Sequence, residues 1–152
     1  MNVLFVCTGN TCRSAMAEGI LRKMLSEKNI PGVTVKSCGT DASPSFRVPP
    51  VVLKTMAACG IDMSRHRSTM ITQELVDESG LILVMEEYHK KVVELKFPSS
   101  AGKTHLFKSY AGGEGSPEIP DPIGQSDEIY INTALELKKY SSKLAVKLER
   151  GK

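Results

Sequence analysis

Short apolar runs alternate along this chain with longer stretches in which apolar residues recur every three or four positions. The runs VLFV (3–6), VTVKS (33–37), LILVM (81–85) and KTHLF (103–107) are short and rich in β-branched or apolar residues, the pattern of buried strands. Between them, SAMAEGILRKMLSEKN (14–29) sets Met16, Ile20, Met24 and Leu25 at helical spacing. PPVVLKTMAACG (49–60) opens with Pro49 and Pro50 in its first turn and closes on Gly60, a start and a stop signal for a helix. TQELVDES (72–79) and EEYHKKVVELKF (86–97) predict two more helices, and SDEIYINTALELKKYSSKLAVKLER (126–150) a long last one. Asp127 and Glu128 stand where they oppose the dipole of its first turn favourably. Strands and helices that alternate in this way predict a parallel sheet joined by right-handed crossovers. The expected architecture is therefore a single-domain α/β three-layer sandwich, a four-stranded parallel sheet with helices on both faces. Ligands of such sheets bind beyond the carboxyl ends of the strands, and the loop after the first strand lies there.

At 152 residues the chain is long enough for one core, and one domain over 1–152 is expected. No apolar run approaches the ~20 residues of a membrane span, and Met1 leads directly into NVLFVC. A cytoplasmic monomer without a membrane partner is expected. The net charge of +3 is mild, and the lysines of LKKYSSKLAVKLERGK read as a solvated helix face. Nucleic-acid binding would call for a stronger basic stripe. Cys7, Cys12, Cys38 and Cys59 can pair in three ways, but a chain of this size in a reducing compartment does not need disulfides. The spacing Cys7-x4-Cys12 is wrong for a zinc knuckle, so no metal is expected. Neither a G-x4-G-K-[ST] nor a G-x-G-x-x-G loop occurs, and no cofactor is expected.

Reactivity is the better account of the first two cysteines. In VCTGNTCRSAMAEG, a strand ending at Cys7 and a helix beginning at Ser14 leave Thr8, Gly9, Asn10, Thr11, Cys12 and Arg13 to wrap over the helix N-terminus. Backbone N–H groups then converge on one point, and with the positive end of the helix dipole they make a nest for a phosphate-like dianion. Inorganic phosphate and oxyanion inhibitors are expected to bind there. Gly9 and Asn10 suit such a loop because glycine allows, and asparagine tolerates, left-handed φ values. Arg13 adds two parallel donors to phosphate oxygens, a geometry lysine lacks. A thiol facing a helix N-terminus and an arginine is acidified, so Cys7 is expected to act as a thiolate attacking phosphorus in line, through a phosphocysteine intermediate. Ser14 can hydrogen-bond the sulfur. A buried structural cysteine is the competing reading of Cys7.

The departing group needs a proton, and a positioned carboxylic acid can give it and then activate water. Asp121, held between Pro120 and Pro122 in GGEGSPEIPDPIGQSDEIY, is the candidate. A turn-forming aspartate is the alternative.

With these pieces the chain resembles the low-molecular-weight protein tyrosine phosphatases, through VCTGNTCRSAMAEG, VKSCGT, GIDMSRHR, LILVME and IPDPIGQSDEIY. The resemblance implies that family's fold, phosphorylated proteins as partners, Cys7 as nucleophile, Arg13 as phosphate clamp and Asp121 as general acid and base. It also implies that Asn10, Ser14, Ser37 and His66 brace the loop. Cys12 has two readings, a side chain that fills space under the loop or, as the resemblance implies, the partner of Cys7 in a reversible disulfide under oxidation. Thr11 resembles the bacterial protein arginine phosphatases, where tyrosine enzymes often carry an aliphatic residue. Ile123 follows Asp-Pro where tyrosine-directed members commonly place a stacking tyrosine, and the arginine enzymes often a phenylalanine. Phosphoarginine is the favoured substrate and phosphotyrosine the alternative. Arsenate reduction on the same scaffold is a remote one, because no closely spaced cysteine pair follows LILVM.

Overall fold

The computed structural model describes residues 1–151. Its elements alternate as the pattern predicts: β1 Asn2–Cys7, α1 Arg13–Glu27, β2 Thr34–Gly39, α2 Pro50–Ala58, α3 Gln73–Glu78, β3 Leu81–Val84, α4 Glu87–Lys96, β4 Thr104–Leu106, α5 Phe107–Tyr110 and α6 Asp127–Gly151, with a single 3-10 turn over Pro98–Ser100. The sheet is parallel throughout in the order β2-β1-β3-β4. From β1 the chain turns to one side for β2 and later to the other for β3, so β1 lies at the reversal point. Its carboxyl end, Cys7, opens on the crevice where such sheets bind ligands.

Alternate side chains of one strand serve opposite layers. Val3 and Phe5 of β1, with Val35, Leu81 and Leu83, pack under residues of α1, α2 and α6 such as Met16, Met56 and Leu144. Leu4 and Val6, with Ile82, Val84 and Leu106, face the other way onto Val76 of α3 and Val93 of α4. This double burial is why the strands read as unbroken apolar runs. Among the described residues no helix is long and apolar enough to cross a membrane.

Most boundaries differ by a residue or two from the sequence reading, α5 and the 3-10 turn are additions to it, and two differences at strand ends are instructive. β2 starts at Thr34 and runs on to Gly39, past the predicted end at Ser37. Phe107, assigned to the last strand, is instead the first residue of α5. The turn carries its ring beneath the sheet, edge-on to Phe5 at 5.0 Å and to Tyr140 at 6.4 Å. One apolar residue after an apolar run looks the same whether the chain continues or turns. Gly39 is demanded by a close approach: a Cβ there would lie 2.3 Å from the carbonyl oxygen of Thr8, so the phosphate-loop candidate rests directly on the end of β2.

Because Phe107 is fully buried between two aromatic rings, Phe107→Ala should cost about 3–5 kcal/mol of stability, read from the urea unfolding midpoint at unchanged slope.

Candidate active site

β1 ends at Cys7 and α1 begins at Arg13, which leaves residues 8–12 as the loop. Asn10 holds φ 57°, the left-handed bend expected of Gly9 or Asn10 that lets successive N–H groups face one way. Among the described residues, the backbone N–H groups of residues 8–12 donate to no protein backbone acceptor. Cys7, Thr8, Gly9, Thr11, Cys12 and Arg13 line a cavity of about 500 Å³, and Asp121, Ile123 and Tyr130 lie on the same cavity. The structure thus brings the cysteine, the arginine and the distant aspartate to one place.

Asn10 faces away from the cavity and is wholly buried. Its side-chain amide donates to Ser14 Oγ at 2.8 Å and to Ser37 Oγ at 2.9 Å, and its Oδ1 accepts from the Thr69 N–H at 2.9 Å. Its carbonyl accepts from His66 Nε2 at 2.7 Å and from the Ser68 hydroxyl at 3.1 Å. Ser37 and His66 are thereby placed against the loop, as the resemblance implies. Ser68 and Thr69 join them, which the sequence did not suggest.

Behind this network stands Glu18, a residue that sequence reasoning missed. Ser37 gives its only hydroxyl proton to Glu18 Oε1 at 2.5 Å, so it can only accept from Asn10. Asn10 in turn donates to Ser14, and the Ser14 proton is left for Cys7 Sγ at 2.8 Å, the Cys38 carbonyl lying farther off at 3.2 Å. The Asn10 amide, oriented by the Thr69 N–H on its Oδ1 and able only to donate through its nitrogen, thus leaves the Ser14 proton for the sulfur, where it would stabilise a thiolate. Glu18 holds Ser37 as the acceptor of the other amide proton. Glu18 is four residues past Ser14 on the same helix, the one signal that could have found it.

Arg13 is buried and fixed on two sides. One guanidinium nitrogen donates to Glu86 Oε2 at 2.6 Å and to the Ile119 carbonyl at 2.9 Å, and the other stands 3.5 Å from Asp121 Oδ2. Glu86 was also missed, although a charged residue directly after the buried run of β3 sits at the crevice end of the sheet. Asp121 accepts the Ile123 N–H at 3.0 Å, the side-chain turn expected next to its prolines, and Ile123 is left largely exposed at the mouth.

His89 ties α4 to the loop. Its Nδ1 accepts the Glu86 N–H at 3.1 Å, so the neutral ring carries its proton on Nε2 and donates it to Thr8 Oγ1 at 2.8 Å. Burial, helped by the Arg13 charge, pulls its pKa down to about 4. Burial and the nearby Cys7 push the Cys12 thiol up to about 12, so of the two loop cysteines Cys12 is held as the neutral thiol. All four cysteines are free. Cys38 is sealed at the end of β2 with its pKa raised by burial, and Cys59 faces a separate groove beside α1 and α6.

Comparison with known proteins agrees with this geometry. The family model described as low molecular weight phosphotyrosine protein phosphatase matches residues 2–152. A protein-arginine-phosphatase of Bacillus subtilis (strain 168) is 34% identical over 152 residues, covering 100% of this chain and 99% of that protein. The low molecular weight protein-tyrosine-phosphatase Etp of Escherichia coli (strain K12) is 34% identical, covering 98% and 95%. Among solved structures, the YwlE arginine phosphatase, as a Cys-to-Ser mutant with a phosphorylated active-site serine, superposes with a TM-score of 0.94 at 32% identity, covering 100% of this chain and 98% of that one.

Two outcomes follow from the bracing. Alanine strains the left-handed backbone at position 10 by about 1 kcal/mol more than glycine does. Asn10→Ala should therefore unfold at lower urea than Asn10→Gly, and both should bind vanadate at least about tenfold more weakly than the wild type, through lost buried hydrogen bonds. His89 supplies a pH dependence. Its folded pKa lies below the ordinary 6.5, so between pH 6.5 and about 4 the unfolded chain binds a proton that the folded one refuses. Stability should be full above pH 6.5 and fall by on the order of 3 kcal/mol towards pH 4; urea midpoints for His89→Gln should decline less steeply over that window.

Proposed function

The chain belongs to the low molecular weight phosphotyrosine protein phosphatase family, a family of cysteine-dependent phosphatases, and we propose that within it this enzyme removes phosphate from phosphoarginine in proteins. The observation that carries the chemistry is the single cavity in which Cys7, Arg13 and Asp121 meet under a loop of free N–H groups. The Cys7 thiolate attacks phosphorus; the P–S bond forms as the bond to the leaving nitrogen breaks, and the protonated Asp121 carboxyl gives its proton to that nitrogen. The loop amides and Arg13 hold the equatorial oxygens, where charge concentrates in the transition state. Asp121, now ionised, takes a proton from a water that attacks phosphorus from the vacated side. The P–S bond breaks, the sulfur leaves as thiolate towards the Ser14 hydroxyl, and inorganic phosphate departs. Glu18, Ser37, Asn10 and His66 act through Ser14 and the loop as positioning residues.

Phosphoarginine is favoured over phosphotyrosine by what surrounds the cavity. Thr11 brings a hydroxyl to the wall and Ile123 gives the mouth no aromatic face, so ring stacking worth about 0.5–1.5 kcal/mol is not offered there. The similarity to enzymes named as arginine phosphatases extends over the whole chain. Phosphotyrosine remains the second reading because Phe46, half exposed, lines the same cavity and offers a ring elsewhere on the rim. A cysteine relay for arsenate is disfavoured: Cys38 is sealed and Cys59 opens on another groove.

Matched peptides carrying phosphoarginine, phosphotyrosine or phosphoserine discriminate the substrates. The expected kcat/KM order puts phosphoarginine first, with Thr11→Ile narrowing its lead; a tenfold preference for phosphotyrosine would overturn the substrate assignment. Cys7→Ser should lose all turnover, and hydrolysis surviving in that variant would sink the mechanism.

A further inference from the structure

The cavity carries a second carboxylate besides Asp121. Asp41 lies just beyond the end of β2, and its backbone N–H is bonded to the Thr8 carbonyl at 2.9 Å, which pins it beside the phosphate loop. It is exposed and lines the same cavity as Cys7 and Asp121. Arg47 shares that rim, yet the two form no ion pair, and among the described residues the Asp41 carboxylate has no partner at all. Its charge stands uncompensated at the entrance.

We infer that Asp41 is a specificity-determining residue, the acceptor that recognises the guanidinium of a phosphorylated arginine and discriminates against a phosphorylated phenol. The inference rests on the phosphoarginine reading for its natural substrate. Donor counting supports it. A guanidinium has five N–H donors, and phosphorylation of one nitrogen leaves four seeking acceptors as the group enters the cavity. Asp121 is partly committed, one oxygen accepting the Ile123 N–H at 3.0 Å and the other facing Arg13 at 3.5 Å. Its remaining capacity must serve proton transfer to the leaving nitrogen. Thr11 has one hydroxyl to offer. The carboxylate with both oxygens free is Asp41, and a planar donor fork matched to a carboxylate is the strong form of such a contact. A tyrosine ring brings no N–H donor, so it would strip water from Asp41 and return nothing.

The test compares Asp41→Asn and Asp41→Lys with wild type on a peptide pair identical except for phosphoarginine or phosphotyrosine. Loss of a charged acceptor should lower the ratio of kcat/KM on phosphoarginine to that on phosphotyrosine about tenfold in Asp41→Asn, further in Asp41→Lys, and mainly through KM. Asp41→Glu should restore most of the ratio. A ratio left where it was in both variants, including a parallel loss on both peptides, would overturn the inference. The wild-type preference itself answers the separate question of substrate: an enzyme that favours phosphotyrosine, yet whose ratio still drops in Asp41→Asn, would refute the phosphoarginine reading and leave the role of Asp41 standing.

Discussion

The site depends on one buried amide. Asn10 sits in a left-handed conformation that costs an L-residue roughly 1–2 kcal/mol, and five hydrogen bonds from its side chain and carbonyl hold it there. With that residue bent, the N–H groups of residues 8–12 stay out of the backbone hydrogen bonding around them, the condition for an anion nest. Every partner of Asn10 is in turn fixed by something large: Ser14 by α1, Ser37 by β2, and His66, Ser68 and Thr69 by the segment that ends in a lone bridge between Met70 and Gly39. The loop is held open by the fold around it.

The buried charge of the site is matched by fixed acceptors. Arg13 is nearly inaccessible, and a guanidinium taken out of water must be matched by acceptors. Glu86 and the Ile119 carbonyl supply them on one nitrogen, while the other is directed towards Asp121. The arginine is therefore held in one orientation by the protein itself, so the oxyanion of the proposed reaction would meet a donor already in place. His89 braces the loop as a neutral ring, which lets it hold both Thr8 and the start of α4 without adding a second positive charge near Arg13.

Much of this was legible in the sequence. The four apolar runs disclosed the sheet because strands covered on both faces must be apolar at every position, and Cys7, Arg13 and Ser14 disclosed the loop because their spacing follows from a strand-to-helix turn. Asp121 was legible through its flanking prolines. What stayed hidden was carried by contacts between residues far apart in the chain. Glu18 and Glu86 look like ordinary surface charges of a helix start until β2 and β3 are placed beside them. Asp41 reads as a loop residue until the end of β2 carries it over Thr8. Phe107 was misplaced for a local reason, since a single apolar residue has no period to betray a turn.

The tie between Arg13 and the Ile119 carbonyl joins residues 106 apart. The arginine that opens α1 thus takes an acceptor from the segment between α5 and α6, so the turn after Cys7 cannot orient the guanidinium by itself. Closure between distant parts of the chain, and not the local strand-to-helix turn, completes the set of acceptors around that side chain.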